Sequence, residues 1–237
     1  MYTAGNYPKS IVNLGYGEYY SGEYFYTSTF DAGEGITGGS IAPATNYAPA
    51  FNNLHVDSSG PAASINAGIA GTAPNNRTVN ILLNNQSLLD SAINQLTAKT
   101  FTINNIALSA LAATNSIRIK NESTTSTDRV VVAFIELTYP HDFNFGNASQ
   151  FYFRLDASAQ PKYLEITGFN TSNQQPVLYD LSNHLRLAGD IATAGKVKVL
   201  LPPSAQPREL LLVNEAVAAN VKTVNTLQQR KFINDAD

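Results

Sequence analysis

The stretch Asp128–Pro140, DRVVVAFIELTYP, constrains the fold of this chain most strongly. It contains a short apolar run, Val130–Ile135, then an alternation of polar and apolar residues, and Pro140 closes it. β-Branched and aromatic residues dominate, so the pattern predicts a β-strand that is covered on both faces for most of its length. The rest of the chain must then supply strands that pack around it.

Similar runs recur between polar turns, and they predict strands at Val79–Leu83, Thr100–Ile103, Ser116–Lys120, Phe151–Leu155, Tyr163–Phe169, Pro176–Asp180, Lys196–Leu201 and Arg208–Val213. Ser87–Leu96 fits either a capped helix or an irregular strand, and the all-β context favours the strand. Residues 38–76 are rich in small and turn-forming residues and predict loops with one short strand around Phe51–Val56. The predicted fold class is all-β, an antiparallel β-sandwich of jelly-roll or immunoglobulin-like type, with room for a second small β subdomain.

The length of 237 residues fits one large sandwich or two small ones. We predict a Tyr/Gly-rich edge segment at residues 1–37, a β-sandwich at 38–213, and a connector at 214–237 that leads to a downstream domain outside this sequence. The net charge of −3 provides no surface for a polyanion, so nucleic acid is not an expected partner. The chain has no cysteine, which excludes disulfides, thiolate metal sites and a cysteine nucleophile within it. No apolar run approaches the roughly 18 residues of a membrane span.

Two N-terminal features suggest ligands. The carboxylates of Asp31 and Glu34 offer oxygen ligands for calcium, although the spacing does not match an EF-hand loop and a solvated turn is the favoured alternative. Tyr19, Tyr20 and Tyr24 are candidates for stacking on sugar rings, and the alternative is that they pack on the edge of the sheets.

The remaining ionisable residues predict no catalytic centre. His141 and Asp142 are a His–carboxylate pair, but no nucleophile motif such as G-x-S-x-G accompanies them, and neighbouring side chains on an extended chain point apart. The three histidines lack metal-ligand spacing. Four scattered arginines are predicted to be surface or strand-edge charges: Arg129, Arg154, Arg186 and Arg208.

Several segments together resemble the region ahead of the catalytic domain in gingipain-like cysteine peptidases, in particular the PorU-type sortases of the Bacteroidetes type IX secretion system. The segments are Gly17-Glu18 with Phe30–Gly35, the central run Asp128–Phe143 with Phe151-Tyr152-Phe153, Val177–Leu181, the pair Lys196–Leu201 and Arg208–Val213, and Phe232–Asp237. None of them is a catalytic signature. In that family a strand opens the peptidase domain just after such an ending, and the catalytic histidine and cysteine lie further downstream.

The resemblance implies a non-catalytic scaffold or substrate-positioning region of an exported protein that is associated with the outer membrane or cell surface of a Gram-negative bacterium. Its partners would be its own downstream peptidase domain, secreted protein substrates and other secretion components. Asp90-Ser91-Ala92 is also similar to the O-glycosylation sites of exported Bacteroidetes proteins, which makes Ser91 a candidate for a glycan. Two alternatives remain: a carbohydrate-binding module of a cell-surface protein, and a surface fibre or adhesin subunit.

Overall fold

The computed structural model describes residues 37–217 and the backbone of three N-terminal strands, Tyr2–Asn6 (β1), Gly17–Tyr20 (β2) and Glu23–Tyr26 (β3). Strands dominate these residues, and the helical structure among them is one 3-10 turn at Leu108–Ala110. The predicted all-β class is therefore confirmed. The chain divides into two compact units, residues 1–146 with 153–155 and residues 147–152 with 156–237.

Two antiparallel sheets form the first unit. Its strands after β3 are Asn46–Tyr47 (β4), Ala50–Asn52 (β5), Ala63–Gly71 (β6), Arg77–Leu83 (β7), Gln86–Ile93 (β8), Ala98–Ile106 (β9), Thr114–Asn121 (β10) and Val130–Tyr139 (β11). Sheet 1 has the order β1-β11-β6-β9, and sheet 2 has the order β4-β10-β7-β8 with β5 also paired to β10. Strands β2 and β3 form a separate hairpin.

The core of the first unit lies between sheets 1 and 2. Alternate residues of the paired strands bury their side chains in one cluster, which includes Ile65, Ile69, Ile81, Leu83, Ile117, Ile119, Ile135 and Leu137. The predicted organising strand is β11: its first four residues are all buried, and from Phe134 onward buried and half-buried residues alternate. The apolar run and the alternation seen in the sequence thus correspond to two different environments along one strand.

The strands after β11 belong largely to the second unit and form two further sheets. The remaining strands are Asn144–Ala148 (β12), Gln150–Leu155 (β13), Lys162–Phe169 (β14), Val177–Asp180 (β15), Leu185–Ala188 (β16), Lys196–Leu201 (β17) and Arg208–Val213 (β18). Sheet 3 has the order β12-β14-β17, and sheet 4 has the order β13-β18-β15-β16. Alternate residues of β14, β17 and β18 are buried, among them Leu164, Ile166, Val197, Val199, Leu210 and Leu212.

The loop prediction for residues 38–76 is wrong at β6, a nine-residue strand in the interior of sheet 1. Small residues here serve close packing. A Cβ atom on Gly68 would lie 2.5 Å from the ring of Phe134, and one on Gly71 would lie 2.0 Å from the carbonyl oxygen of Gln95. Because close packing requires glycine and other small residues in this strand, its composition resembles that of a loop, and the sequence pattern does not predict a strand here.

The predicted limits of the segments, residues 1–37 and 214–237, fall largely outside the described residues and stay predictions. Most of strand β8, Gln86–Ile93, lies within Ser87–Leu96, so this segment is a strand, as the all-β context indicated. Gly168 adopts a φ of +58° near the end of β14, in the left-handed region that favours glycine.

Candidate functional site

The N-terminal candidates lie at or beyond the limit of the described residues. Tyr19 pairs with Tyr24 and Tyr20 with Glu23 across the β2–β3 hairpin, but the side chains of these tyrosines are outside the described residues. Asp31 and Glu34 are outside them altogether. Stacking on sugars and calcium binding at these positions therefore stay predictions. Among the residues that are described, no three His, Cys, Asp or Glu side chains are grouped to hold a metal ion.

His141 lies in an aromatic cluster. Its ring centroid is 5.6 Å from that of Tyr139, 5.8 Å from that of His55 and 6.1 Å from that of Phe145. Burial lowers the pKa of His141 below its ordinary value, and hydrogen bonding to the carbonyl oxygen of Asp142 opposes this shift. The Asp142 side chain is about half exposed, and its carboxylate oxygen is 4.0 Å from Nδ1 of His141. The ring is thus packed as part of the fold.

An ion pair between Arg77 and Asp128 is completely buried in the first unit, with both side chains at 0% exposure. The guanidinium donates to the Asp128 carboxylate from Nε at 2.8 Å and from Nη2 at 2.7 Å. It also donates to the carbonyl oxygens of Ala73 and Gln95, while Asn121 donates to the second carboxylate oxygen at 3.0 Å. These bonds connect four segments of the unit, and they leave both buried charges paired and hydrogen-bonded.

A second buried ion pair occupies the other unit. Arg208, at the start of β18, pairs with Asp180, at the end of β15, and donates to the carbonyl oxygen of Pro202. The Asp180 carboxylate also accepts hydrogen bonds from the backbone and side chain of Asn183. The prediction that Arg208 is a surface or strand-edge charge is wrong, since only 2% of the residue is exposed and β18 is an interior strand of sheet 4. Arg186 does lie at the surface, where it pairs with Glu215 at 2.9 Å.

A short repeated sequence, which the strand predictions did not include, lies in the second unit. Ser158–Lys162 has the sequence SAQPK and Ser204–Arg208 has the sequence SAQPR. In each copy the serine hydroxyl donates to the carbonyl oxygen of the glutamine two residues on, at 2.8 Å in both. The basic residue of each copy donates to the carbonyl oxygen six residues earlier, Asp156 or Pro202. The two serines pair with each other through reciprocal backbone bonds of 2.9 Å.

The paired SAQP loops line an open cleft of about 480 Å³ whose walls are small side chains and Pro203. Each loop is followed by a strand of a different sheet, β14 in sheet 3 and β18 in sheet 4. The signal for this arrangement in the sequence is the repeat of SAQP at a spacing of 46 residues. None of the described residues that line the cleft is charged.

The candidate glycan site has a defined position. Ser91 lies on β8, the edge strand of sheet 2, and is half-buried. Its hydroxyl oxygen accepts a hydrogen bond from Nζ of Lys99 at 3.0 Å. Asp90 and Ala92, its neighbours in the sequence, are both exposed. Attachment of a glycan at Ser91 stays a prediction.

Fold and sites together define an all-β protein whose buried charges are paired within antiparallel sheets. A comparison of the sequence with family models and with characterised proteins finds no match. The structure is similar to latent dimeric PorU from Porphyromonas gingivalis, with 11% identity and a TM-score of 0.53. The similarity covers 77% of this chain but 19% of PorU, so the chain spans about a fifth of that protein. At this level of identity the comparison shows a PorU-like fold.

Two carbohydrate-binding modules are more distantly similar. One is the CBM36-1 domain of a multidomain xylanase from the hindgut metagenome of Trinervitermes trinervoides, with 7% identity, a TM-score of 0.38, and coverage of 60% of this chain and 100% of that one. The other is a CBM36 module in complex with calcium and xylotriose, with 17% identity, a TM-score of 0.33, and coverage of 42% and 78%. These scores are too low to transfer a ligand. In the described part of the chain, no helix has the length and apolar character to span a membrane.

Proposed function

We propose that this chain is a non-catalytic β-sandwich region of an exported gingipain-like cysteine peptidase, in which it precedes the catalytic domain and serves as a scaffold or positions substrates. The observation that carries the proposal is the similarity of fold to PorU over 77% of the chain. The segments that resemble the type IX sortases support it independently of the structure, since they were identified from the sequence. The partners in this proposal are the downstream peptidase domain and the secreted proteins that it processes.

The two buried ion pairs support a scaffold role. Arg77 with Asp128 and Arg208 with Asp180 are the buried ion pairs of the described residues, and each is closed by further hydrogen bonds to backbone and amide groups. Active sites, by contrast, hold ionisable groups whose charge can change during a reaction. Here the buried charges hold strands and loops in place.

The experiment is a peptidase assay with a matched comparison. The isolated chain should release no fluorescence from quenched peptide substrates or labelled casein, whereas the full-length parent should cleave them. In the parent, Asp128→Ala should lower cleavage or export because the first unit no longer folds stably. The proposal would be contradicted if the isolated chain cleaved these substrates, with an activity that co-elutes with the chain and disappears when it is unfolded.

Localisation at the cell surface is part of the same proposal. Intact cells of the native host should expose the region to added proteinase, and the cytoplasmic fraction should contain little of it. If calcium binds at Asp31 and Glu34, calcium should raise the thermal midpoint of the wild-type chain, and Asp31→Ala should remove that increase. A calcium effect that persists in Asp31→Ala would reject the predicted ligands.

A further inference from the structure

Two large apolar side chains of the second unit lie side by side in contact with solvent. Tyr163 on β14 is 59% exposed and Leu200 on β17 is 64% exposed, and these are the highest values for large hydrophobic residues in the described part of the chain. The two residues are direct partners in the antiparallel β14–β17 register. Side chains of direct partners project from the same face of a sheet, with Cβ atoms about 4.5–5.5 Å apart. Tyr163 and Leu200 therefore form one exposed apolar pair.

The apolar pair lies on the outer face of sheet 3. Leu164 on β14 and Val199 and Leu201 on β17 are buried, so the residues that alternate with them point away from the core. The interior of the unit does not use the side chains of Tyr163 and Leu200. Core packing therefore does not explain why two large apolar residues occur together at these positions.

A row of charged side chains follows the apolar pair on the same face. Lys198 is the direct partner of Glu165 on one side, and on its other side it pairs with Asp190 through reciprocal backbone bonds of 2.8 Å. These three side chains therefore share the face of Tyr163 and Leu200, and they lie two residues, or about 6.6–6.8 Å, further along the strands. Glu165 and Asp190 are exposed and Lys198 is half-buried, so a ligand on this face can reach the row.

The charged row keeps hydrogen-bonding capacity for a ligand. Nζ of Lys196 donates to one carboxylate oxygen of Glu165, which lowers the pKa of Glu165, so this carboxyl group is ionised at neutral pH. Nζ of Lys198 donates to the Thr193 hydroxyl at 2.8 Å, and Oδ1 of Asp190 accepts one backbone N–H. A carboxylate has about four acceptor positions and an ammonium has three donors, so each group has positions for further hydrogen bonds.

The combination of groups indicates a neutral ligand with many hydroxyl groups. Glu165 and Asp190 contribute two negative charges and Lys196 and Lys198 contribute two positive ones, so the described charges of this face balance and attract neither an anion nor a cation. An apolar patch beside donors and acceptors matches a sugar ring, which has C–H bonds on its faces and hydroxyl groups around its edge.

The size of the apolar pair favours a small ligand over a protein partner. Two side chains of this exposure offer on the order of 200 Å² of surface, whereas a stable protein interface buries roughly 800 Å² on each partner. One sugar ring, by contrast, is covered by two neighbouring side chains.

We propose that the outer face of sheet 3 binds a neutral oligosaccharide. One sugar ring lies on Tyr163 and Leu200. Hydroxyl groups of that sugar or of the next one donate to Glu165 and Asp190 and accept from Lys198. This site is separate from the stacking tyrosines predicted in the N-terminal hairpin, and the inference does not depend on the proposed role beside a peptidase.

The test begins with an array of defined glycans and continues with an NMR titration of the whole chain. Neutral trisaccharides of glucose, xylose, mannose and N-acetylglucosamine are the probes, and a trimer of galacturonic acid is the charged comparison. At least one neutral trisaccharide should bind and should shift the ring signals of Tyr163 and the methyl signals of Leu200. The galacturonic acid trimer should bind more weakly than that neutral sugar.

Variants of the face separate the apolar contact from the hydrogen bonds. Tyr163→Ala should weaken binding about tenfold, which is the upper range for loss of an aromatic contact. Tyr163→Phe keeps the ring and should bind as the wild type does. Glu165→Gln should also weaken binding, because a neutral amide oxygen is a weaker acceptor than a carboxylate. Leu200→Ala tests the same apolar contact if Tyr163→Ala fails to fold.

Tyr152→Ala is the matched control. Tyr152 is another exposed tyrosine of the second unit, but it lies on β13 in sheet 4, so its replacement makes the same chemical change outside the proposed site. This variant should bind sugar as the wild type does. Absence of binding to the array and to all four neutral trisaccharides, tighter binding of the galacturonic acid trimer, or undiminished binding by folded Tyr163→Ala would each overturn the proposal.

Discussion

Removal of the Asp128 carboxylate should cost the first unit much of its stability. Asp128→Ala leaves the Arg77 guanidinium in a position with no exposed surface, where it keeps its bonds to the carbonyl oxygens of Ala73 and Gln95 but has no counter-charge. Asn121 loses an acceptor as well. Breaking a buried ion pair on one side costs about 3–5 kcal/mol. For a unit of about 150 residues this lowers the thermal midpoint by roughly 6–20 °C.

Urea denaturation followed by far-UV circular dichroism and tyrosine fluorescence measures the change. The double variant Arg77→Met with Asp128→Leu should recover most of the loss, because apolar residues of similar volume remove both charges together. Glu165→Ala is the control: it breaks an exposed ion pair with Lys196 and should leave the midpoint unchanged. If Asp128→Ala lost less than about 1 kcal/mol, the ion pair would not be a main support of this unit.

Three further predictions follow from the geometry. Gly71→Ala should destabilise the first unit by about 1–3 kcal/mol in urea denaturation, because its Cβ would lie 2.0 Å from the carbonyl oxygen of Gln95; an unchanged midpoint would contradict the packing. Asn85 has a φ of 70° in the β7–β8 turn, so Asn85→Val should lower the free energy of unfolding by about 1–2 kcal/mol, whereas Asn85→Gly should leave it unchanged or raise it. The reverse order of stability would contradict this turn conformation. Burial lowers the pKa of His141, so the imidazole binds a proton more tightly in the unfolded chain than in the folded one. The free energy of unfolding should therefore fall as the pH drops below about 6.5, and His141→Gln should flatten this dependence. A pH profile identical to that of the wild type would exclude His141 as the source.

The strands with large apolar side chains could be predicted from the sequence. In β11, β14 and β17 the β-branched and aromatic residues recur with the period of two that a sheet imposes, and the structure places them as the pattern indicates. Strand β6 could not be predicted in this way. Gly68 and Gly71 are required because the ring of Phe134 and the carbonyl oxygen of Gln95 leave no room for a Cβ atom, and both groups come from distant parts of the chain.

The buried arginines show the same limit. Nothing adjacent to Arg77 or Arg208 in the sequence distinguishes them from a surface arginine such as Arg186. Their partners Asp128 and Asp180 lie 51 and 28 residues away, and the pairing exists only after the strands have assembled.

The most direct test of the proposed function is to determine the sequence that the parent gene encodes after Asp237. The proposal predicts an apolar β-strand at once, followed by a histidine and, further on, a cysteine whose replacement by alanine abolishes peptide cleavage by the full-length protein. A stop codon directly after Asp237, or a following region without that histidine and cysteine, would contradict it.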